Sequence, residues 1–188
     1  MNLNNLNKYV LEDITSPTHP SDYIKDDNVL ILRLPFINSG NIIVKSLAFI
    51  IDNEDVYEYD RDNRALIKIG NVNSLHNRLD KIIDDILIGM KDFHIKIDDL
   101  EDCILDNNID IMDRWLKLKK SISLIRRLIF QASIVFDIFL VSLKKYVSLN
   151  LKAFEDLNEH IERIKNLSIS AEDKLNNLYD FYRAKTDE

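Results

Sequence analysis

Three apolar stripes, each stepping alternately by three and four residues, run almost unbroken through the last two thirds of this 188-residue chain. The first passes from Leu75 through Leu79, Ile82, Ile86, Met90, Phe93 and Ile97 to Ile104. The second runs from Ile111 through Trp115, Ile122, Ile129 and Phe136 to Leu143. The third links Phe154, Leu157, Ile161, Ile164, Ser168, Ala171 and Leu175 to Tyr182. Such stepping keeps one seam of a helix facing a partner over many turns. Each stripe implies a helix about 50 Å long, at roughly 1.5 Å per residue. Rods of this length span or transmit, and seldom enclose an active site.

The rest of the composition supports long, exposed rods. Only three glycines and three prolines occur, and two of the prolines, Pro17 and Pro20, fall in the first twenty residues. Few breakers downstream leave the helices uninterrupted. A hydrophobic fraction of 46% excludes general disorder, and 30% charged residues suit amphipathic helices. The single cysteine, Cys103, cannot form an internal disulfide, which points to a reducing compartment. The first residues lack the apolar core of a signal peptide. The most apolar stretch, Leu128 to Leu143, is interrupted by Asp137 and is far short of the ~20 residues a bilayer requires. It reads as a helix buried on most of its circumference.

The first seventy residues follow a different pattern. Leu3 to Ile14 reads as a short helix, closed by Thr15-Ser16-Pro17. Val29 to Leu34 reads as a buried strand, Ile42 to Ile51 as a second, Val56 to Tyr59 as a third and Leu66 to Ile69 as a fourth. Turn residues separate them at Ser39 to Asn41, Asp52 to Asp55 and Asp60 to Arg64. Gly70 breaks the pattern, and Asn73 or Ser74 offers a cap to the first long helix. The expected fold class is α+β. A small αβ domain with a mostly antiparallel sheet (1–72) precedes a helical hairpin (73–148) and a stalk helix (149–188).

Charge is unevenly spread. The formal net charge of −7 divides into −4 for 1–72, −5 for 73–109, +5 for 110–148 and −3 for 149–188. The acidic first rod and the basic second one are expected to pair as an antiparallel hairpin joined at Asn107-Asn108. Lys119, Lys120, Arg126 and Arg127 could contact phosphates. Overall acidity favours acidic neighbours instead, so nucleic acid is not the expected partner.

Catalytic chemistry is sparse, and no enzyme is expected. His19, His76, His94 and His160 lack zinc-ligand spacing, and neither a phosphate-cradling glycine loop nor a nucleophile elbow occurs. Carboxylates are abundant: Asp80, Asp84 and Asp85 on the first rod, and Glu155, Asp156 and Glu159 on the third. Oxygen ligands suit hard cations such as Mg²⁺ and Ca²⁺, although an acidic surface needs no ion and no EF-hand loop is present. His160 reads as a surface or interface histidine rather than a ligand. Trp115, Phe136 and Phe139 read as packing residues.

Several stretches together resemble the cytosolic portion of CorA-type divalent-cation transporters. They are Val10 to Ile14 followed by Pro20, Tyr23 and Asn28 to Arg33; Leu118 to Leu128; Phe154 to Ile164, in which Asp156 precedes His160 by four residues; and Leu178 to Tyr182. The resemblance implies a small αβ domain, a helical hairpin and a stalk helix leading to a pore at the cytoplasmic face of the cell membrane. It also implies a pentamer in the full-length protein, with monomer or dimer open for this piece, and membrane contact only through C-terminal helices beyond it. Regulatory Mg²⁺ between neighbouring protomers is implied at Asp80 and Asp156, with other divalent cations open. The third ligand in that pattern comes from a loop that reads Asn38-Ser39-Gly40-Asn41 here and carries no carboxylate. The family's Gly-Met-Asn signature does not occur, so a piece holding only the cytosolic domain and a naturally soluble homologue are both open. A zinc-transporting relative and a soluble helical adaptor are the alternative functions.

Overall fold

The computed structural model describes residue 3 and residues 6–38, 41–106, 111–146 and 149–186. In chain order the elements are α1 (Lys8–Thr15), β1 (Asp22–Ile24), β2 (Val29–Asn38), β3 (Asn41–Asp52), β4 (Asp55–Asp60), β5 (Ala65–Asn71), α2 (Val72–Leu105), α3 (Met112–Leu143) and α4 (Leu151–Thr186). The five strands form one antiparallel meander in sequential order. The α+β expectation holds, with every expected strand present. Residues 39 and 40 of the β2–β3 turn and the joint at Asn107-Asn108 lie outside the described residues.

The dense apolar run of β2 follows from its place in the layers. Val29 and Ile31 face α1, packing with Val10, Ile14, Ala48 and Ile50. Leu30, Leu32 and Leu34 face the long helices, in one core with Phe49, Leu75, Phe93, Phe136 and Phe154. A strand covered on both faces loses polar alternation. Strand β1 was not expected; it is three residues long, and its one buried residue, Tyr23, packs edge-on against Phe139 with ring centroids 5.3 Å apart. The first helix also differs from expectation. It begins at Lys8 rather than Leu3, because the Asn7 side chain accepts from the Tyr9 amide and caps it there.

Strand β5 passes directly into α2. Asn71 is the cap, bonded to the Ser74 amide, and the Ser74 hydroxyl accepts from the Asn71 amide in return. The start therefore falls earlier than a cap at Asn73 or Ser74 would give. Gly70 adopts φ of 127°, and a Cβ there would lie 2.3 Å from the Ser74 hydroxyl, so the joint requires glycine. Midway along α2, Gly89 admits the end of β2: a Cβ on it would fall 2.6 Å from that of Ile37.

The three rods are continuous helices of 34, 32 and 36 residues. All the stripe residues read from the sequence are buried, apart from the part-buried Trp115 and Tyr182. Helix α4 starts beside α2, where the Asn150 amide donates to Asn73. It ends beside it too, where Lys185 Nζ donates to the carbonyls of Ile104 and Leu105. Thus α2 and α4 run in the same direction, and α3 runs against both.

Pairing by charge differs from expectation. Helices α2 and α3 pack chiefly on α4 and touch each other little. Their counter-charges sit on α4. Glu172 receives Lys119 Nζ at 2.9 Å, Ser123 Oγ at 3.0 Å and Arg126, while Lys174 bridges Asp98 at 2.6 Å and Glu101 at 2.7 Å on α2. Trp115 fixes the far end, donating to the Leu175 carbonyl at 2.8 Å and stacking on Tyr179. The Leu128–Leu143 stretch of α3 is buried on one side only, since Phe130, Ile134, Ile138 and Val141 are exposed.

Candidate functional site

Parallel packing of α2 and α4 sets a register in which residues 76 apart meet, as Asp98 and Lys174 do. About four turns nearer the sheet the same offset brings Asp84 to His160. Helical spacing then adds Asp80, one turn before Asp84, and Asp156, one turn before His160. The imidazole is the centre of this group. Its Nδ1 lies 3.5 Å from Asp84 Oδ1 and 3.9 Å from Asp80 Oδ1, and its Nε2 lies 3.9 Å from Asp156 Oδ2.

The two carboxylates that the resemblance singled out, Asp80 and Asp156, therefore lie on opposite sides of one ring within a single chain. Asp80, Asp84 and His160 each offer a ligand atom, all within 4.8 Å of one another. Asp156, 65% exposed, stands at the rim. His160 is 30% exposed, yet its Nδ1 is itself buried and makes no hydrogen bond. A buried nitrogen of this kind forfeits its hydration without a replacement.

The donor chemistry fits a divalent cation. Metal bonds of ~2.1 Å place neighbouring ligand atoms about 3 Å apart, so the half-exposed carboxylates reach such positions by small side-chain rotations. Two carboxylates accept hard cations, and an imidazole extends the set to zinc, iron and nickel. The sequence reading placed His160 outside the ligand set. The missing signal was the α2–α4 register, which no spacing within either helix reveals.

No protein-family model matches the chain, and no curated protein matches it. Solved structures do. The complete CorA magnesium transporter from Methanocaldococcus jannaschii superposes with a TM-score of 0.75 at 14% identity, over 97% of this chain and 63% of that one. This chain has the fold of the CorA soluble domain. That soluble domain alone, from the same organism, matches with a TM-score of 0.65 at 16% identity, over 94% of this chain and 78% of the other. The ZntB cytoplasmic domain from Vibrio parahaemolyticus gives 0.62 at 15% identity, with 98% and 80% covered. The chain spans less than two thirds of the complete CorA transporter. Among its described residues, no helix is long and apolar enough to cross a membrane.

Proposed function

We propose that this chain is the cytosolic regulatory domain of a CorA-like divalent-cation channel or transporter, working as a homo-oligomer at the cytoplasmic face of the cell membrane. In this reading the full-length assembly is a pentamer, and the domain senses cation rather than catalysing a reaction. The observation that carries the proposal is the gathering of Asp80 and Asp84 at the Nδ1 of His160, a buried nitrogen without a hydrogen bond, with Asp156 beside Nε2 on the other side of the ring, at the seam between α2 and α4.

With no ion, the carboxylates of Asp80 and Asp84 on α2 and Asp156 on α4 repel one another across that seam. A bound divalent cation supplies the opposite charge that turns this repulsion into attraction. The four side chains then hold α2 against α4. Because α2 continues from β5 through the capped Asn71 joint, tightening the seam ties the sheet to the stalk. Helix α4 delivers the change of position to a pore outside this chain. The equilibrium moves only by the difference in cation affinity between the tight and loose arrangements.

Magnesium is the cation the resemblance implies. The imidazole of His160 favours a second reading within the same fold, a zinc-transporting relative, because nitrogen ligands suit Zn²⁺ better than Mg²⁺. Thermal unfolding and limited proteolysis with and without each ion test the proposal. Saturating ligand at about 100 times its dissociation constant stabilises by about 2.7 kcal/mol. Protection by millimolar Mg²⁺, or by lower Zn²⁺, is expected to weaken in Asp156→Asn and vanish in Asp84→Asn. Equal protection of wild type and both variants would refute the site.

A further inference from the structure

Helix α3 is apolar on the side that faces solvent. Phe130, Ile134, Ile138 and Val141 step by four, four and three along one strip, 48–67% exposed, opposite the buried strip through Ile122, Ile129 and Phe136. A helix apolar on two sides is ordinarily covered on two sides. Towards its start the same outward strip carries the exposed basic residues Arg127 and Lys120.

Helix α2 presents the complement. On its outward side Ile88 and Ile95 are interleaved with Asp85, Asp92, Asp99 and Asp102, all exposed, with Lys91 the one exposed cation among them. Both helices pack on α4 and hardly on each other, so the two strips lie on separate flanks of the helical layer. Their heights can be compared through α4. Lys165 covers the Phe130 ring and Glu172 holds Arg126, while the 76-residue offset places α4 against α2. Phe130 therefore stands level with Ile88, Arg127 with the Asp92–Ile95 turn, and Lys120 with Asp99.

We propose that the outward strip of α3 docks on the outward strip of α2 in a second copy of this chain. Cyclic symmetry keeps equivalent residues at equal heights, so a ring built this way sets Phe130 against Ile88, Arg127 against Asp92 and Lys120 against Asp99. Each copy uses one strip of each kind, which is the head-to-tail contact that closes into rings. Pairing α3 with α3 would oppose arginine and lysine to themselves, and α2 with α2 would oppose aspartates. Charge thus selects the unlike pairing while the apolar side chains anchor it. This inference gives a surface to the self-association proposed above, and it stands whether or not the Asp84–His160 group binds an ion.

Sedimentation velocity on the 188-residue chain, over a concentration series, tests it. Wild type is expected to associate. Phe130→Asp/Ile134→Asp and Ile88→Lys/Ile95→Lys, all at exposed positions, are each expected to weaken association roughly tenfold or more. Mixed together, these two variants retain one good strip each and should form a one-to-one complex and nothing larger. As a check independent of the apolar changes, Arg127→Glu and Asp92→Arg should each weaken association, and the doubly swapped chain should regain it. A monomeric wild type, an α2 variant that associates like wild type, or a mixture that stays monomeric would overturn the proposal. So would binding of monomeric wild type to anionic vesicles through the same α3 strip, which would make it a membrane surface.

Discussion

Removing the charge of Glu172 is expected to loosen α3 from α4 in a way that depends on pH. This carboxylate, with only 12% of its side chain exposed, is the meeting point of three donors from α3: Lys119, Arg126 and Ser123. The hydrogen bond from Lys119 is the largest cause holding its pKa down to about 2, aided by Arg126 and Ser123 and opposed by burial. An ordinary glutamate titrates near 4.5. Its ionised form is thus favoured in the folded chain, and the benefit is complete above about pH 4.5. As pH falls from there towards 2, the unfolded chain takes up its proton first and the benefit disappears. The interval between the two values corresponds to an upper bound of roughly 3 kcal/mol. Arg126 is half exposed, and solvent screening reduces this to about 1–2 kcal/mol.

Glu172→Gln should accordingly lower the unfolding free energy by about 1–2 kcal/mol at neutral pH, or about 3–6 °C in Tm for a chain of this size. Urea unfolding followed by circular dichroism is the assay. The gap between wild type and variant should shrink steadily as the buffer is acidified below about pH 4.5. A gap of equal size at neutral and acid pH would mean that Glu172 acts through packing, and the electrostatic reasoning would be wrong.

Other perturbations have equally definite outcomes. Gly89→Ala gains up to ~1 kcal/mol of helix propensity but forces Ile37 to move, so a net loss of about 1 kcal/mol is expected in urea unfolding; a more stable variant would refute the close approach. Gly70→Ala strains a φ of 127° and collides with the Ser74 cap, and a loss of about 2–3 kcal/mol is expected from the same assay. Phe154→Ala leaves a cavity among Phe139, His76 and the sheet-proximal ends of the helices, and should cost about 3–5 kcal/mol by calorimetry or denaturant.

The rods were legible because one face of each is apolar at helical spacing and is buried by the partner that spacing calls for. Leu75 to Ile104 and Phe154 to Leu178 needed nothing else. Strand β1 was not legible, since three residues with one buried tyrosine carry no period. The pairing of rods was not legible either: net charge pointed to α2 with α3, yet Glu172 and Lys174, on α4, take the counter-charges of both. A single helix sequence records which face is buried but not which neighbour buries it. The same gap hid His160. Asp80 and Asp156 were reached through a family resemblance, whereas the ring between them depends on a register set by the whole α2–α4 seam. The outward strip of α3 is the reverse case: the apolar stretch from Leu128 to Leu143 suggested burial on most of its circumference, yet Phe130, Ile134, Ile138 and Val141 are exposed.

Isothermal titration of Zn²⁺ and of Mg²⁺ into the chain, repeated with Asp84→Asn and His160→Ala, tests whether the α2–α4 seam binds a cation. One site per chain is expected, with Zn²⁺ bound more tightly than Mg²⁺, and each substitution should weaken Zn²⁺ binding about tenfold or more. Binding that is absent, or equally tight in wild type and both variants, would contradict a cation site between α2 and α4.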